Sequence, residues 1–87
     1  MYVILAYDVN HTRVGEVLKV ARKYLVWVQN SLLEGEITSA KLEALKSELK
    51  KVINQEEDSI IFYKLRTPRY FSKEVMGKEK GKDEKFI

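Results

Sequence analysis

Two residues near the amino terminus, an aspartate and a histidine, are of types that could carry chemistry. Asp8 follows an uninterrupted apolar and aromatic run at residues 2–7, so it is predicted to lie at the tip of a buried strand. An aspartate in that place often serves only as a turn or cap residue. Two copies brought together across a two-fold axis would instead offer carboxylate oxygens suited to Mg²⁺, which polarises a phosphate and activates bound water. His11 lies where a helix is expected to begin and is interpreted as a surface residue.

Other catalytic and ligand-binding motifs are sparse in the sequence. The chain has no cysteine, which excludes disulfides, thiolate metal sites and a thiol nucleophile, and which fits a reducing compartment. It contains no glycine-rich phosphate loop and no cluster with metal-ligand spacing. The opening apolar run is too short for a membrane span and lacks the flanks of a signal peptide, so we expect a cytoplasmic protein with no membrane partner.

The elements that must position Asp8 follow from the hydrophobic periodicity. The 87 residues, 45% hydrophobic and 33% charged, predict one folded domain. Strand and helix patterns predict an α+β, ferredoxin-like βαββαβ fold with both helices on one face of an antiparallel sheet, followed by an additional C-terminal β-strand. Asn10 and either Thr38 or Ser39 are the predicted helix caps, and Gly35 is the predicted site of a bulge. The predicted elements are a strand ending at residue 8, a helix at 12–24, two short strands within 26–38, a helix ending near 53, a strand at 59–65 and a fifth strand within 69–78.

The predicted sheet leaves one face without helices. Its first and last βαββαβ strands are apolar throughout, which is typical of strands that are covered on both faces. We therefore expect a homodimer packed through the sheet faces. A fifth strand added to the edge of the partner's sheet would strengthen that dimer through main-chain hydrogen bonds. The single domain is expected to cover residues 1–77, and residues 78–87 are expected to form a charged flexible tail.

Positive charge is concentrated in the carboxyl-terminal part of the chain. The net charge is +3, and the stretch from Lys64 onward has eight basic residues against four acidic ones. A phosphate backbone is one partner that suits such a segment, and a solvated tail is the alternative.

Four segments, in their order and spacing, resemble the family of the second CRISPR-associated (Cas) protein. They are Tyr7-Asp8-Val9, the run at 28–36, the run Asp-Ser-Ile-Ile-Phe-Tyr-Lys-Leu-Arg at 58–66 and Glu-Val-Met-Gly at 74–77. The resemblance implies a ferredoxin-like homodimer with an exchanged carboxyl-terminal strand, which bridges dimers of the CRISPR integrase subunit and holds a protospacer DNA duplex. It also implies a metal-dependent nuclease in which Asp8 is the catalytic residue and metal ligand, with one Mg²⁺ shared by Asp8 of both protomers.

Two functions stay open on this resemblance, and they do not exclude each other. One is an architectural subunit that binds duplex DNA and presents its carboxyl strand to the integrase. The other is a Mg²⁺-dependent endonuclease acting on single-stranded RNA or on duplex DNA. For the nucleic-acid contacts the candidate residues are Arg13, which matches a basic residue of the family at the start of the first helix, and Arg22, Lys23, Arg66 and Arg69.

Two residues depart from the family pattern, and two other classes of protein share the predicted fold plan. Trp27 stands where some nuclease-active relatives have Arg, and Leu33 stands where they have Phe, so nuclease activity does not carry over automatically. Trp27 is interpreted as core or interface packing in preference to a base-stacking platform. A ribonuclease toxin of the virulence-associated type shares this fold plan and is the alternative function. An RNA-recognition domain is set aside because residues 59–65 lack its Gly-aromatic pattern.

Overall fold

The structure is a computed structural model that describes residues 1–67 and 70–80. It shows one five-stranded antiparallel sheet in the order β2-β3-β1-β4-β5, with two α-helices. The predicted α+β, ferredoxin-like plan with an additional C-terminal strand is confirmed. The elements are β1 (Tyr2–Asp8), a short 3₁₀ helix (His11–Arg13), α1 (Val14–Ala21), β2 (Val26–Gln29), β3 (Leu32–Glu36), α2 (Ser39–Val52), β4 (Ser59–Thr67) and β5 (Tyr70–Gly77).

The core lies between the sheet and the two helices. Alternate residues of β1 are buried, and the pairing register sets Leu5 beside Leu33 of β3 and Phe62 of β4, all three fully buried. Because side chains alternate across a strand, these residues share one face of the sheet. The helices contribute their apolar stripes to the same buried cluster, namely Val17, Ala21, Leu42, Leu45 and Leu49.

Both helix starts follow the predicted capping chemistry. The Asn10 side chain accepts a hydrogen bond from the Thr12 backbone N–H at 3.0 Å, and the Thr38 hydroxyl accepts one from the Lys41 N–H at 3.1 Å. The first helix differs from its predicted span of 12–24. It begins as a 3₁₀ turn and its α-helical part ends at Ala21, because the N–H groups of Lys23 and Tyr24 bond to carbonyls only three residues earlier.

The β2–β3 hairpin corrects one sequence prediction. The register shift lies between Trp27 and Gln29, so the bulge is on β2 and the prediction of a bulge at Gly35 is wrong. Gly35 pairs in register with Val3, and a Cβ there would lie 3.4 Å from Leu25 Cδ2, so the absent side chain leaves room for close packing. Asn30 turns the hairpin with a φ of 44°, a left-handed conformation that Asn tolerates.

The other face of the sheet carries a patch of half-buried side chains, which we call the open face: Ile4, Ala6, Leu32, Ile61 and Tyr63. Ala6 is in register with Leu32 on one side and Ile61 on the other, while Ile4 is in register with Tyr63. All five are apolar or aromatic, and the helices pack on the opposite face. The open face therefore has the character predicted for a surface that a second copy covers.

The fifth strand pairs within its own chain. β5 is antiparallel to β4 from the pair Ser59 and Gly77 to the pair Thr67 and Tyr70. The exchanged strand that the resemblance implies concerns a dimer and stays a prediction. Within the described parts of the chain, no helix is long and apolar enough to cross a membrane. Of the predicted tail, residues 81–87 lie outside the described residues.

Candidate functional site

Asp8 ends β1 at an exposed position. Its side chain is 73% exposed, as expected for an acid at the tip of a buried strand. The register sets Ser59 of β4 opposite Asp8, and Gly77 of β5 opposite Ser59. We call this row of three residues the Asp8 end of the sheet. By the alternation along β1, the Asp8 side chain belongs to the same face as Ile4 and Ala6, which is the open face.

A second aspartate, Asp58, is buried next to the Asp8 end of the sheet, directly before Ser59. It is 0% exposed, and each of its carboxylate oxygens accepts two hydrogen bonds. Oδ1 accepts from the Asn10 backbone N–H at 2.9 Å and from Arg13 Nη2 at 3.1 Å. Oδ2 accepts from the Asn54 backbone N–H at 2.8 Å and from Arg13 Nε at 2.5 Å. The bidentate pair with Arg13 is the fork geometry in which guanidinium and carboxylate interact most strongly.

This network keeps both members of the pair charged. The hydrogen bonds from Arg13 hold the pKa of the Asp58 carboxyl well below its usual range against the opposing effect of burial, and the Asn54 and Asn10 N–H groups act in the same direction as Arg13. The hydrogen bond to Asp58 likewise raises the pKa of Arg13. Glu57 adds a further contact, with its Oε1 at 3.2 Å from Arg13 Nη2. The Asp58–Arg13 pair is therefore ionised across the whole physiological pH range.

The chain segment that leaves β5 returns to the same end of the sheet. Gly77 has a φ of +89°, and a Cβ on it would lie 2.2 Å from the Asp58 carbonyl oxygen. The Lys78 N–H donates to that carbonyl at 2.7 Å. Lys80 then places its Nζ at 3.5 Å from Asp8 Oδ2 and donates to the Asp8 carbonyl oxygen at 3.3 Å. A positive charge thus lies against the exposed carboxylate of Asp8.

The residues at this end are compatible with a magnesium ion. Protein-bound Mg²⁺ commonly uses one or two carboxylates and keeps several waters, and Asp8 supplies one exposed carboxylate. The ammonium of Lys80 contacts the same carboxylate, so a bound Mg²⁺ would have to displace this exposed ion pair. Within residues 1–67 and 70–80, no group of three or more His, Cys, Asp or Glu residues could hold a metal ion by itself. Another copy of the chain would supply a second carboxylate if the two Asp8 residues met across a two-fold axis.

The predicted nucleic-acid-binding residues do not form one cluster. Arg13 lies near the Asp8 end and is paired with Asp58. Arg22 and Lys23 follow α1. Lys23 forms an ion pair with Glu48 and lines a pocket together with Met1, at the end of the sheet opposite Asp8. Arg66 follows Leu65, the register partner of Tyr2, so it belongs to that opposite end as well. Arg69 lies outside the described residues.

The two positions at which the sequence departs from the family pattern have different environments. Leu33 is fully buried in the core. Trp27 is 44% exposed, so its interpretation as a core residue is wrong for the single chain, whereas interface packing stays a prediction. Its indole N–H donates to the Asn30 carbonyl at 2.9 Å, and the Arg22 guanidinium carbon lies 5.8 Å from its ring centroid. His11 is exposed, as predicted.

Comparison with known proteins identifies the family. Residues 1–73 match the sequence profile described as CRISPR associated protein Cas2. The chain belongs to the Cas2 family. The CRISPR-associated endoribonuclease Cas2 of Dictyoglomus turgidum is 56% identical over 87 residues and covers all of both chains. The protein of the same description from Thermotoga maritima is 53% identical over 83 residues, which is 95% of each chain.

Solved Cas2 structures share the fold. A crystal structure of Cas2 aligns with all of this chain and 98% of its own, with a TM-score of 0.74 at 40% identity. The crystal structure of Streptococcus pyogenes Cas2 at pH 6.5 covers 75% of this chain and 86% of its own, with a TM-score of 0.69 at 37% identity. The resemblance drawn from the short segments is therefore confirmed, and this family assignment favours the CRISPR function over the toxin alternative.

Sequence reasoning missed two residues of this Cas2 chain that the structure brings to the Asp8 end. In the sequence, Asp58 closes an acidic stretch that precedes a predicted strand, and Lys80 lies in the predicted charged tail at 78–87. The signal for Asp58 was weak: an acid directly before a β-rich run is usually a turn residue. Its partner Arg13 is 45 residues away in sequence, and only the sheet brings the two together.

Proposed function

We propose that this protein is a CRISPR-associated homodimer in which the two Asp8 residues carry metal-dependent cleavage of a phosphodiester, with RNA as the first substrate to test. The observation that carries the proposal is the position of Asp8 on the open face, at the end of the apolar patch. Two relatives described as CRISPR-associated endoribonuclease Cas2 support RNA as the substrate.

The dimer follows from the chemistry of the open face. Ile4, Ala6, Leu32, Ile61 and Tyr63 form a contiguous apolar surface that a second copy would remove from water. In a two-fold arrangement each chain offers the same patch to its partner, so the contact is self-complementary. Asp8 lies two residues beyond Ala6 on this face, and face-to-face packing about an axis near the Asp8 end would bring the two carboxylates towards each other.

Asp8 is the residue that would hold a divalent cation. When bound, Mg²⁺ would supply polarisation of a phosphate oxygen and a lowered pKa for a coordinated water. The chain itself would bind the ion through the exposed Asp8 carboxylate, and the sheet would fix the position of the strand end on which Asp8 lies. Two like charges that approach across the axis would also favour cation binding, since the ion relieves their repulsion.

The test is cleavage of single-stranded RNA and duplex DNA by the purified protein and by Asp8→Asn, with and without a chelator. Asp8→Asn keeps the side-chain shape and removes the charge. We expect cleavage to fall about 100-fold or more, because a metal ion contributes several kcal/mol to transition-state stabilisation. Glu48→Gln, which removes a carboxylate charge that is paired with Lys23 and not with the Asp8 end of the sheet, is the matched control and should cleave normally. Cleavage that survives both Asp8→Asn and chelation points to a contaminating nuclease and rules out the metal site.

A second proposed function is the architectural one, in which the homodimer binds protospacer duplex DNA and bridges CRISPR integrase dimers. The specific observation behind it is that Arg66 is exposed at the end of the sheet away from Asp8, so a phosphate backbone could be bound there without use of the cleavage site. Arg22 is a second exposed cation, beside Trp27 on the edge hairpin. Reconstituted spacer integration with the neighbouring integrase should require this protein. It should proceed normally with Asp8→Asn and be weakened by Arg22→Gln combined with Arg66→Gln.

A further inference from the structure

We propose that Asp58 is the positioning residue of the Asp8 site. Its buried carboxylate fixes the backbone that follows β1, through the Asn10 N–H and the Arg13 guanidinium, and so sets the direction in which Asp8 faces a bound divalent cation. The inference rests on the proposed metal-binding role of Asp8. In this inference Asp8 binds the cation, and Asp58 positions Asp8.

The first support is the convergence of hydrogen bonds on Asp58. The Asn10 N–H donates to Oδ1 at 2.9 Å, and Asn10 is separated from Asp8 by Val9 alone. Arg13 donates twice, at 2.5 and 3.1 Å, from the 3₁₀ turn that continues this segment. The segment from Asp8 to Arg13 is thus tied at two points to one buried, fully ionised group.

The second support is that the neighbouring strands are tied to the same residue. Ser59, which follows Asp58 directly, is the register partner of Asp8 and is itself buried. The Asp58 carbonyl accepts the Lys78 N–H at 2.7 Å, which holds the end of β5. The segment that follows β1, the start of β4 and the end of β5 therefore all meet at Asp58, so a change there reaches Asp8 through a few hydrogen bonds.

Asp58 is suited to positioning and unsuited to direct metal binding. A carboxylate has about four acceptor positions, and all four on Asp58 are used by Asn10, Asn54 and the two Arg13 bonds. It is 0% exposed, while Asp8 is 73% exposed, so only Asp8 can meet an ion from solution. Arg13 is committed to the same network, which makes it a positioning residue as well.

The experiment measures Mn²⁺ binding to the folded full-length protein by NMR, as paramagnetic broadening of the Val9 and Asn10 amide signals during titration. Wild type should bind with a defined half-saturating concentration. In Asp58→Asn that concentration should rise about 10-fold or more, the usual effect of removing a group that orients a metal ligand. Arg13→Lys keeps the charge but loses the two-pronged contact, and should give a smaller rise in the same direction.

Glu48→Gln is the matched control for a purely structural effect. Glu48 also accepts hydrogen bonds from a cationic and a neutral partner, Lys23 and Tyr24, which do not belong to the Asp58 network. It should lower the melting temperature and leave Mn²⁺ binding unchanged. If Asp58→Asn is too unstable to measure, Arg13→Lys decides the question by the same titration.

The outcomes separate the inference from the proposal on which it rests. Mn²⁺ binding by wild type that Asp58→Asn and Arg13→Lys leave unchanged overturns the positioning role alone. Absence of Mn²⁺ broadening at Asp8 in wild type overturns the metal site, and the positioning role with it. A rise in half-saturating Mn²⁺ for Asp58→Asn but not for Glu48→Gln is the result that establishes the role.

Discussion

Asp8 and Asp58 are the same residue type with opposite environments, and their environments decide what each can do. Asp8 is mostly exposed and its carboxylate faces a lysine ammonium, whereas Asp58 is buried and satisfied by four hydrogen bonds. Burial of a charged group is costly unless it is paired and hydrogen-bonded, so Asp58 depends on Arg13 and the two backbone amides. Loss of any one of these partners should weaken the Asp8 end of the sheet.

The pH dependence of stability should report the Asp58–Arg13 pair. The folded-state pKa of Asp58 is depressed, chiefly by the hydrogen bonds from Arg13, so its contribution is fully present above about pH 5 and is lost as the pH falls through the folded pKa. At pH 7, Asp58→Asn should melt about 10 °C below wild type, since hydrogen bonds to charged groups contribute about 2 kcal/mol.

The difference in melting temperature should narrow between pH 5 and pH 2, because the Asp58 carboxyl of the unfolded wild-type chain becomes protonated in this range while that of the folded protein stays ionised. Thermal unfolding followed by circular dichroism at one fixed protein concentration checks this, because a dimer makes melting concentration-dependent. Other acidic groups with depressed pKa values, such as Glu48 and Glu74, are present in both proteins and cancel in the comparison. A difference that stays constant from pH 7 to pH 2 would show that the charge of Asp58 is not the source of its stabilisation.

At the scale of elements, the end of β5 depends on a glycine. Gly77 has a positive φ, and a Cβ there would meet the Asp58 carbonyl at 2.2 Å, so Gly77→Ala must move either β5 or the loop before β4. We expect a loss of about 2 kcal/mol in the free energy of unfolding, measured by urea denaturation.

Gly15→Ala is the matched control. Gly15 lies in α1, and nothing is within 4 Å of the added Cβ. This substitution should be neutral or stabilise the protein by about 0.5 kcal/mol, because alanine has the higher helix propensity. Equal effects of the two substitutions would mean that the close contact at Gly77 does not constrain β5.

At the scale of the whole molecule, the open face should control the oligomeric state. Wild type should sediment at twice the 10.2 kDa mass of one chain. Ile61→Glu introduces a charge into the apolar patch. Dimer formation would then bury two unpaired carboxylates at the contact, so this variant should be a monomer at micromolar concentration.

Ala44→Glu provides the control for the added charge. Ala44 is exposed on α2, on the other side of the sheet, so this variant should remain a dimer. Circular dichroism establishes that both variants are folded. A wild-type monomer, or an Ile61→Glu dimer as tight as wild type, would contradict the proposed packing through the open face.

The sequence by itself determined the order of the elements, the α+β class, the Asn10 cap and the location of Asp8 at a strand tip, and it narrowed the second cap to Thr38 or Ser39. These features depend on side-chain periodicity and on contacts within a few residues, so they can be read locally. The order and spacing of four short segments were also sufficient to indicate the Cas2 family, which the comparisons confirm.

The tertiary structure alone decided the bulge between Trp27 and Gln29, the pairing of β5 with its own chain and the partnership of Asp58 with Arg13. Each depends on residues whose proximity is created by strand register, and the two charged partners are 45 positions apart. An acidic residue before a strand and a basic residue before a helix look like ordinary surface charges in sequence. In the folded chain they form one ion pair, because burial of a charged group is costly unless an opposite charge lies within hydrogen-bonding distance.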